Sequence, residues 1–106
     1  MKGATVMRAL IIARGTSAPP PERMVMIADA FKAWREQHRD RMEEFSWFPT
    51  GNSGCAIVNV AHEAEILQIT SSYPLTPYSD MEVQLLIDGD AALDAWHAMI
   101  HERAGG

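Results

Sequence analysis

The residue in this chain best suited to proton-transfer chemistry is His38. It follows Trp34 by four positions on the apolar stripe of a predicted helix, so both side chains face the core. An imidazole at that place could act as a general base, because its ordinary pKa lies near neutral pH. The alternative is a structural histidine at the edge of the core, with one ring nitrogen bonded to backbone or water.

Two charged residues in otherwise apolar strands form a second candidate site. Arg8 lies in the first predicted strand and Glu82 in the last, and we expect these strands to be antiparallel neighbours with the two charges facing each other. A carboxylate held in an apolar cavity has a raised pKa and could shuttle a proton. A carboxylate paired with arginine stays ionised, which favours a structural or dimer-interface role.

Aromatic residues supply the remaining candidates. Tyr78 follows a proline in a predicted turn, where it could donate a hydrogen bond to a developing enolate oxygen or pack on the prolines. Trp34, Phe45 and Trp47 would form the apolar wall of a pocket. The predicted catalytic residues are therefore His38, Glu82 and Tyr78, and the predicted substrate-binding residues are Trp34, Arg8, Phe45 and Trp47.

A metal site is not predicted. His97 and His101 are four residues apart on a predicted helix and could bind a metal from one face, but the sequence shows no third ligand. Cys55 is the single cysteine, and its mid-strand position is typical of an inert thiol.

Apolar periodicity and turn residues predict how these candidates are positioned. We expect strands at 7–13, 45–48, 55–60 and 81–87, with a hairpin turn at 51–54. We expect a first helix that starts at the prolines 19–21 and whose stripe extends to Met42, a second at 61–72, and a third at 91–101 capped by Asp88 or Asp90.

This order is the βαββαβ arrangement of an α+β, ferredoxin-like fold with an extra C-terminal helix. Helices would cover one face of the sheet, while apolar side chains such as Leu10, Ile57 and Leu86 occupy both sides of the strands. A second subunit is the simplest cover for the remaining face, so we predict a homodimer or higher homo-oligomer.

Length and charge limit the classes of function. A chain of 106 residues fits one domain, 1–106. The net charge of −5, with basic residues interleaved among acidic ones, argues against nucleic acid or an anionic membrane as partner. A single cysteine fits a reducing compartment, and the absence of a long apolar stretch favours a cytoplasmic protein.

The segment 74–83, PLTPYSDMEV, carries a family resemblance. It resembles a run in muconolactone isomerase-like proteins: proline, leucine, any residue, proline, tyrosine, any residue, aspartate, a hydrophobic residue, glutamate and valine. The preceding segments 56–60 and 61–72 are also similar to that family. The resemblance implies a dimeric α/β barrel, in which two sheets pack face to face. It also implies cofactor-independent chemistry, in which a proton leaves one carbon of an unsaturated lactone and returns to another.

The second strand departs from the family pattern. Isomerases of the carboxylated lactone usually have a Trp-Arg pair there and an arginine in the hairpin, whereas this chain has FSWFPTG at 45–51. Loss of these basic groups favours a more hydrophobic small-molecule substrate, as expected of a biosynthetic isomerase or cyclase acting on a polyketide-like or aromatic intermediate. The alternatives are a cofactor-free monooxygenase of an aromatic substrate and a non-catalytic dimeric ligand-binding protein.

Overall fold

The computed structural model describes residues 6–105, whose fold is α+β. The strands are β1 (Met7–Gly15), β2 (Met42–Trp47), β3 (Gly54–Val60) and β4 (Ser79–Leu86). The helices are α1 (Met24–Gln37), α2 (Glu63–Ser71) and α3 (Gly89–Gly105), and short 3-10 turns cover Pro21–Arg23, Arg39–Arg41 and Thr76–Tyr78.

The four strands form one antiparallel sheet in the order β2-β3-β1-β4. This order is compatible with the predicted ferredoxin-like arrangement, because β3 lies between the two strands that α1 connects. The predicted α+β class is confirmed.

The two faces of the sheet differ in burial. On the face toward α1 and α2, which we call the covered face, Ala9, Ile11 and Ala13 of β1 are at most 6% exposed. The alternate residues Leu10 and Ile12 are only half-buried and point to the opposite, open face. The prediction that one sheet face lacks a helical cover is therefore confirmed for residues 6–105.

The first helix ends earlier than its apolar stripe predicts. His38 leaves helical geometry at φ −106° and ψ 8°, and a 3-10 turn leads into β2. Met42 belongs to β2, where it pairs with Val58 next to an irregularity in the ladder. Strand pairing thus takes Met42 out of the helical pattern, and β2 begins three residues before the predicted boundary.

The proline-rich segment connects α2 to β4 as predicted, but a threonine does much of the local bonding. The Thr76 hydroxyl is 2.6 Å from the carbonyl oxygen of Tyr73 and 3.0 Å from that of Thr70. The Thr70 carbonyl lies in the last turn of α2 and the Tyr73 carbonyl just beyond it, and they also accept bonds from the backbone N–H groups of Tyr73 at 3.3 Å and Thr76 at 3.1 Å. The turn is thereby fixed, and Leu75 within it is buried.

The last helix projects from the rest of the molecule. The Asp88 carboxylate accepts a hydrogen bond from the Ala91 N–H at 2.9 Å, which selects Asp88 between the two predicted caps. Except for Ala92, every residue of α3 is exposed. The radius of gyration, 17.9 Å, exceeds the roughly 13 Å typical of a compact domain of this length. Within residues 6–105, no helix combines the length and apolar character needed to cross a bilayer.

Candidate functional site: an aromatic cavity and its outer groove

A small, mostly apolar cavity lies on the covered face of the sheet, between α1 and the β2–β3 hairpin. We call it the inner cavity. Its volume is about 30 Å³, enough for one or two water-sized groups. Five of its lining residues are aromatic: Phe31, Trp34, Phe45, Trp47 and Tyr73. It is therefore shaped to take a small substituent rather than a complete ring system.

A larger groove adjoins the inner cavity along the first half of α1. This outer groove has a volume of about 320 Å³, within the range of small-molecule sites. It shares Phe31, Trp47 and Asn52 with the inner cavity, and Lys32 is its cationic lining residue. The two spaces are therefore neighbours that share part of their lining, and most of the room is in the groove.

Phe31 lies between the inner cavity and the outer groove and lines both. Its ring centroid lies 5.3 Å from that of Trp47 and 5.3 Å from that of Tyr73, and the Tyr73 contact is edge-to-face. Such separations are typical of attractive aromatic pairs. Trp47 is 55% exposed, so it forms the rim of the site.

Trp34 has a fixed role in the inner wall. Its indole N–H donates a buried hydrogen bond of 2.9 Å to the carbonyl oxygen of Ile69. That carbonyl belongs to the last turn of α2, which lacks regular helical partners. Trp34 therefore joins α1 to the end of α2, and it offers a ligand apolar surface rather than a free donor.

Tyr73 is the functional candidate that the sequence interpretation left out. The residue is 8% exposed and its ring packs edge-to-face on Trp34 at 5.0 Å. Among residues 6–105 no side chain or backbone group bonds its hydroxyl, and burial alone raises the pKa of Tyr73. The phenol is thus a protonated donor in the wall of the inner cavity. No sequence periodicity marked it, because it lies two residues beyond the end of α2.

His38 lies behind the aromatic wall, outside the lining of both spaces. It is 3% exposed, and its ring centroid is 5.7 Å from that of Trp34. Nε2 lies 3.2 Å from the Ser72 hydroxyl oxygen, and that hydroxyl donates to the Gln68 carbonyl at 2.6 Å. Because the hydroxyl proton is used, Nε2 is the protonated nitrogen, and Nδ1 is buried without a partner in the described region.

The electrostatic setting keeps His38 neutral. Burial, followed by the positive charge of Arg41, lowers the pKa of the imidazole below its ordinary value. A neutral imidazole can accept a proton, but the Trp34 ring stands between it and the inner cavity. The bond to Ser72 is what we expected of a structural histidine at the edge of the core, except that the partner is a side chain and not backbone or water.

The expected pairing of Arg8 with Glu82 is wrong. The β1–β4 register places Arg8 opposite Leu86 and Glu82 opposite Ile12, so the two charges are four residues out of step. Arg8 instead makes a two-point contact with Glu43, with distances of 2.9 and 2.8 Å.

Glu82 is part of a separate, exposed ion pair on the open face. It accepts a 2.8 Å hydrogen bond from Arg14, which, together with a bond from Gln84, lowers the pKa of the carboxyl group. Because it shares the side of Ile12 rather than that of Ile11, it faces away from the inner cavity. The Glu82 carboxylate is ionised and exposed to solvent. It therefore differs from the buried proton shuttle that was one of the two roles predicted for it.

Tyr78 packs against the core outside both spaces. Its carbonyl oxygen accepts hydrogen bonds from the backbone N–H groups of Thr16 at 2.8 Å and Ser17 at 3.4 Å, so the residue fixes the turn.

The His97 and His101 rings contact each other on α3, with a centroid distance of 4.3 Å. Across residues 6–105 no three potential metal ligands of the His, Cys, Asp or Glu type cluster together.

The structure therefore brings together the predicted binding residues Trp34, Phe45 and Trp47, and it separates them from Arg8 and from the three predicted catalytic residues. The lining of the described site contains polar groups but neither a carboxylate nor an imidazole. Such a site can bind an apolar ring and position one or two oxygen atoms. No protein-family model matches this sequence, and no curated protein matches it either.

Proposed function

We propose that this protein binds a largely apolar, ring-containing small molecule in the outer groove and inner cavity, and acts on it as a cofactor-independent isomerase or cyclase. The observation that carries this proposal is the pair of neighbouring spaces, in which the aromatic residues Phe31 and Trp47 line both. The ring system would occupy the groove, and an oxygen-bearing substituent would enter the inner cavity toward Tyr73.

The proposed chemistry is proton transfer next to a carbonyl group. Removal of a proton from carbon sends its electron pair to the carbonyl oxygen, and return of a proton to a different carbon completes an isomerisation. The Tyr73 hydroxyl would donate a hydrogen bond to that oxygen as negative charge develops. The position of Tyr73 in the lining of the inner cavity supports this role.

The proposed proton acceptor is His38 or Glu82, and His38 is favoured by its neutral state and its contact with Trp34. A base role for His38 requires the Trp34 ring to move. Glu82 would need a larger change, since it does not line the site and faces away from it.

Calorimetric titration with two ligand classes tests the binding step. Polycyclic phenolic ketones should bind, and a small carboxylated lactone should bind weakly or not at all. Tyr73→Phe should weaken ketone binding by about fivefold, the value of one net hydrogen bond. The matched control, Tyr78→Phe, should leave affinity unchanged. Tight binding of the lactone with no binding of aromatic ketones would contradict the proposal.

A second candidate is non-catalytic binding of the same class of ligand. The position of His38, Glu82 and Tyr78 outside the site favours it. Exchange of ligand C–H for deuterium, followed by NMR in heavy water, separates the two functions. Catalysis predicts exchange that falls strongly in His38→Ala or Glu82→Gln at unchanged ligand affinity, whereas a binding protein gives no exchange above buffer. Oxygen uptake during turnover would instead indicate the monooxygenase alternative.

We further propose that a second copy covers the open face and forms a ferredoxin-like, dimeric α/β barrel. Half-buried Leu10, Ile12, Ile57 and Leu86 support this arrangement, because apolar groups on one sheet face need a cover. The single cysteine supports a cytoplasmic location. Sedimentation equilibrium should give twice the chain mass or a higher multiple, and a monomer at micromolar concentration would contradict the dimer.

A further inference from the structure

The C-terminal helix α3 displays an apolar stripe that no other element of residues 6–105 covers. Its large apolar residues are spaced by three or four and are exposed by 57%, 55%, 44% and 38% at Leu93, Trp96, Met99 and Ile100. Helices in proteins obtain most of their stability by packing such a stripe against another element. The opposite side of α3 carries Asp94, Ala98 and Glu102. The helix is therefore built to pack on one side.

A matching apolar strip lies on the edge strand β4. The register puts Val83 opposite Ile11 and Leu85 opposite Ala9, so both point to the covered face of the sheet. They are nevertheless 40% and 59% exposed, whereas their partners on β1 are buried. The helices α1 and α2 leave this edge of the sheet without a helix above it.

The stripe is long enough to cover the strip. From Leu93 to Ile100 the stripe extends over about 11 Å at 1.5 Å per residue. From Val83 to Leu85 the strip extends over about 7 Å at roughly 3.3 Å per residue. One helix is thus sufficient to cover both exposed side chains of the strip.

Within one chain α3 does not occupy this position. Only Ile87 and Asp88 separate β4 from α3, and the Asp88 cap at 2.9 Å fixes the start of the helix. From there α3 extends outward, and the longest dimension of the molecule reaches 65 Å. Each chain consequently presents both a free helix and an empty place for one.

We propose that α3 of each protomer packs its apolar stripe on the β4 strip of a second copy, so that two chains exchange their C-terminal helices. The contact is self-complementary: helix meets strand twice, related by a two-fold axis, as closed dimers require. The proposal rests on the dimer proposed above and goes beyond it, because two sheets could pair through their open faces while α3 stayed free.

Paired cysteine variants test the exchange directly. Leu85→Cys and Trp96→Cys are prepared in separate chains that also carry Cys55→Ser, then mixed, exchanged by mild dilution and oxidised. A disulfide between the two different chains, mapped by mass spectrometry, is the expected result. A further variant carries Leu85→Cys and Trp96→Cys in the same chain. A disulfide within that chain would show that α3 folds back on its own strand and would overturn the proposal.

Charge insertion gives a second, independent measurement. Trp96→Glu should raise the dimer dissociation constant by about 100-fold or more, as expected for an unpaired charge buried at an interface. The matched control Ala98→Glu places the same charge on the other side of α3 and should leave the constant unchanged. A wild-type dimer with no disulfide between chains and no effect of Trp96→Glu overturns helix exchange alone. A monomeric wild-type chain overturns both the exchange and the sheet-to-sheet dimer.

Discussion

Replacing Trp34 with phenylalanine should destabilise the protein well beyond the loss of apolar surface. The change removes the N–H that donates to the Ile69 carbonyl at 2.9 Å in a buried setting. Leaving that carbonyl without its partner costs about 1–3 kcal/mol. The lower end applies here, because the Ser72 hydroxyl is 3.3 Å from the same oxygen and shares its proton between that oxygen and the Gln68 carbonyl.

The missing part of the indole adds a packing cost. Trp34 is 6% exposed and contacts the rings of Phe31 and Tyr73 at 5.5 and 5.0 Å, so the void is lined by side chains that are already held. At about 24 cal/mol per Å³ of void, this contributes on the order of 1 kcal/mol. The total decrease in the free energy of unfolding should be about 2–3 kcal/mol, or roughly 10 °C or more in Tm.

Urea unfolding followed by far-UV circular dichroism, at one fixed protein concentration, measures this decrease. The matched control is Trp47→Phe, since Trp47 is 55% exposed and should change stability by no more than about 0.5 kcal/mol. If Trp34→Phe were as stable as the control, the indole would not be the cap of α2 and the energetic argument for a fixed inner wall would fail.

Three further outcomes follow from the described contacts. A Cβ at Gly54 would lie 2.6 Å from the Ser46 carbonyl oxygen, so Gly54→Ala should shift the β2–β3 hairpin and cost about 1–3 kcal/mol in urea unfolding. Gly89→Ala, which meets nothing within 4 Å, should cost nothing. Because the folded-state pKa of His38 lies below its unfolded value of about 6.5, its contribution to stability is present above that pH and is lost as pH falls through the folded pKa. His38→Gln should remove that part of the pH dependence of the unfolding free energy, and an unchanged profile would contradict it. Glu82→Gln should leave the unfolding midpoint nearly unchanged, since exposed ion pairs contribute little; a large drop would contradict this.

The sequence predicted best those features that depend on a single helix or turn. The apolar spacing from Phe31 to Trp34 identified the inner side of α1, and both residues line the cavity. The prolines at 74 and 77 correctly marked the passage from helix to strand. Such features depend on local sterics and on one periodicity, which a single segment carries in full.

Features that depend on two elements were harder to predict. The partner of Arg8 is set by register, and both strands are apolar enough that no side-chain pattern fixes how they align. In the sequence, Met42 fits the apolar stripe of α1 as well as it fits a strand. It belongs to β2 because it pairs with Val58. Tyr73 looks like a turn residue in the sequence, and only the packing of α2 against α1 brings it to the cavity wall.

The double role of Trp34 divides the site into a part that can change and a part that cannot. Any substitution that reshapes the inner wall there also uncaps α2, so new ligand preferences gained at this position would come with a loss of fold stability. Trp47 is free of that constraint because it is exposed and makes no hydrogen bond through its side chain among residues 6–105. Variation in ligand choice, by evolution or by design, is therefore expected to begin at the rim and to leave the inner wall intact.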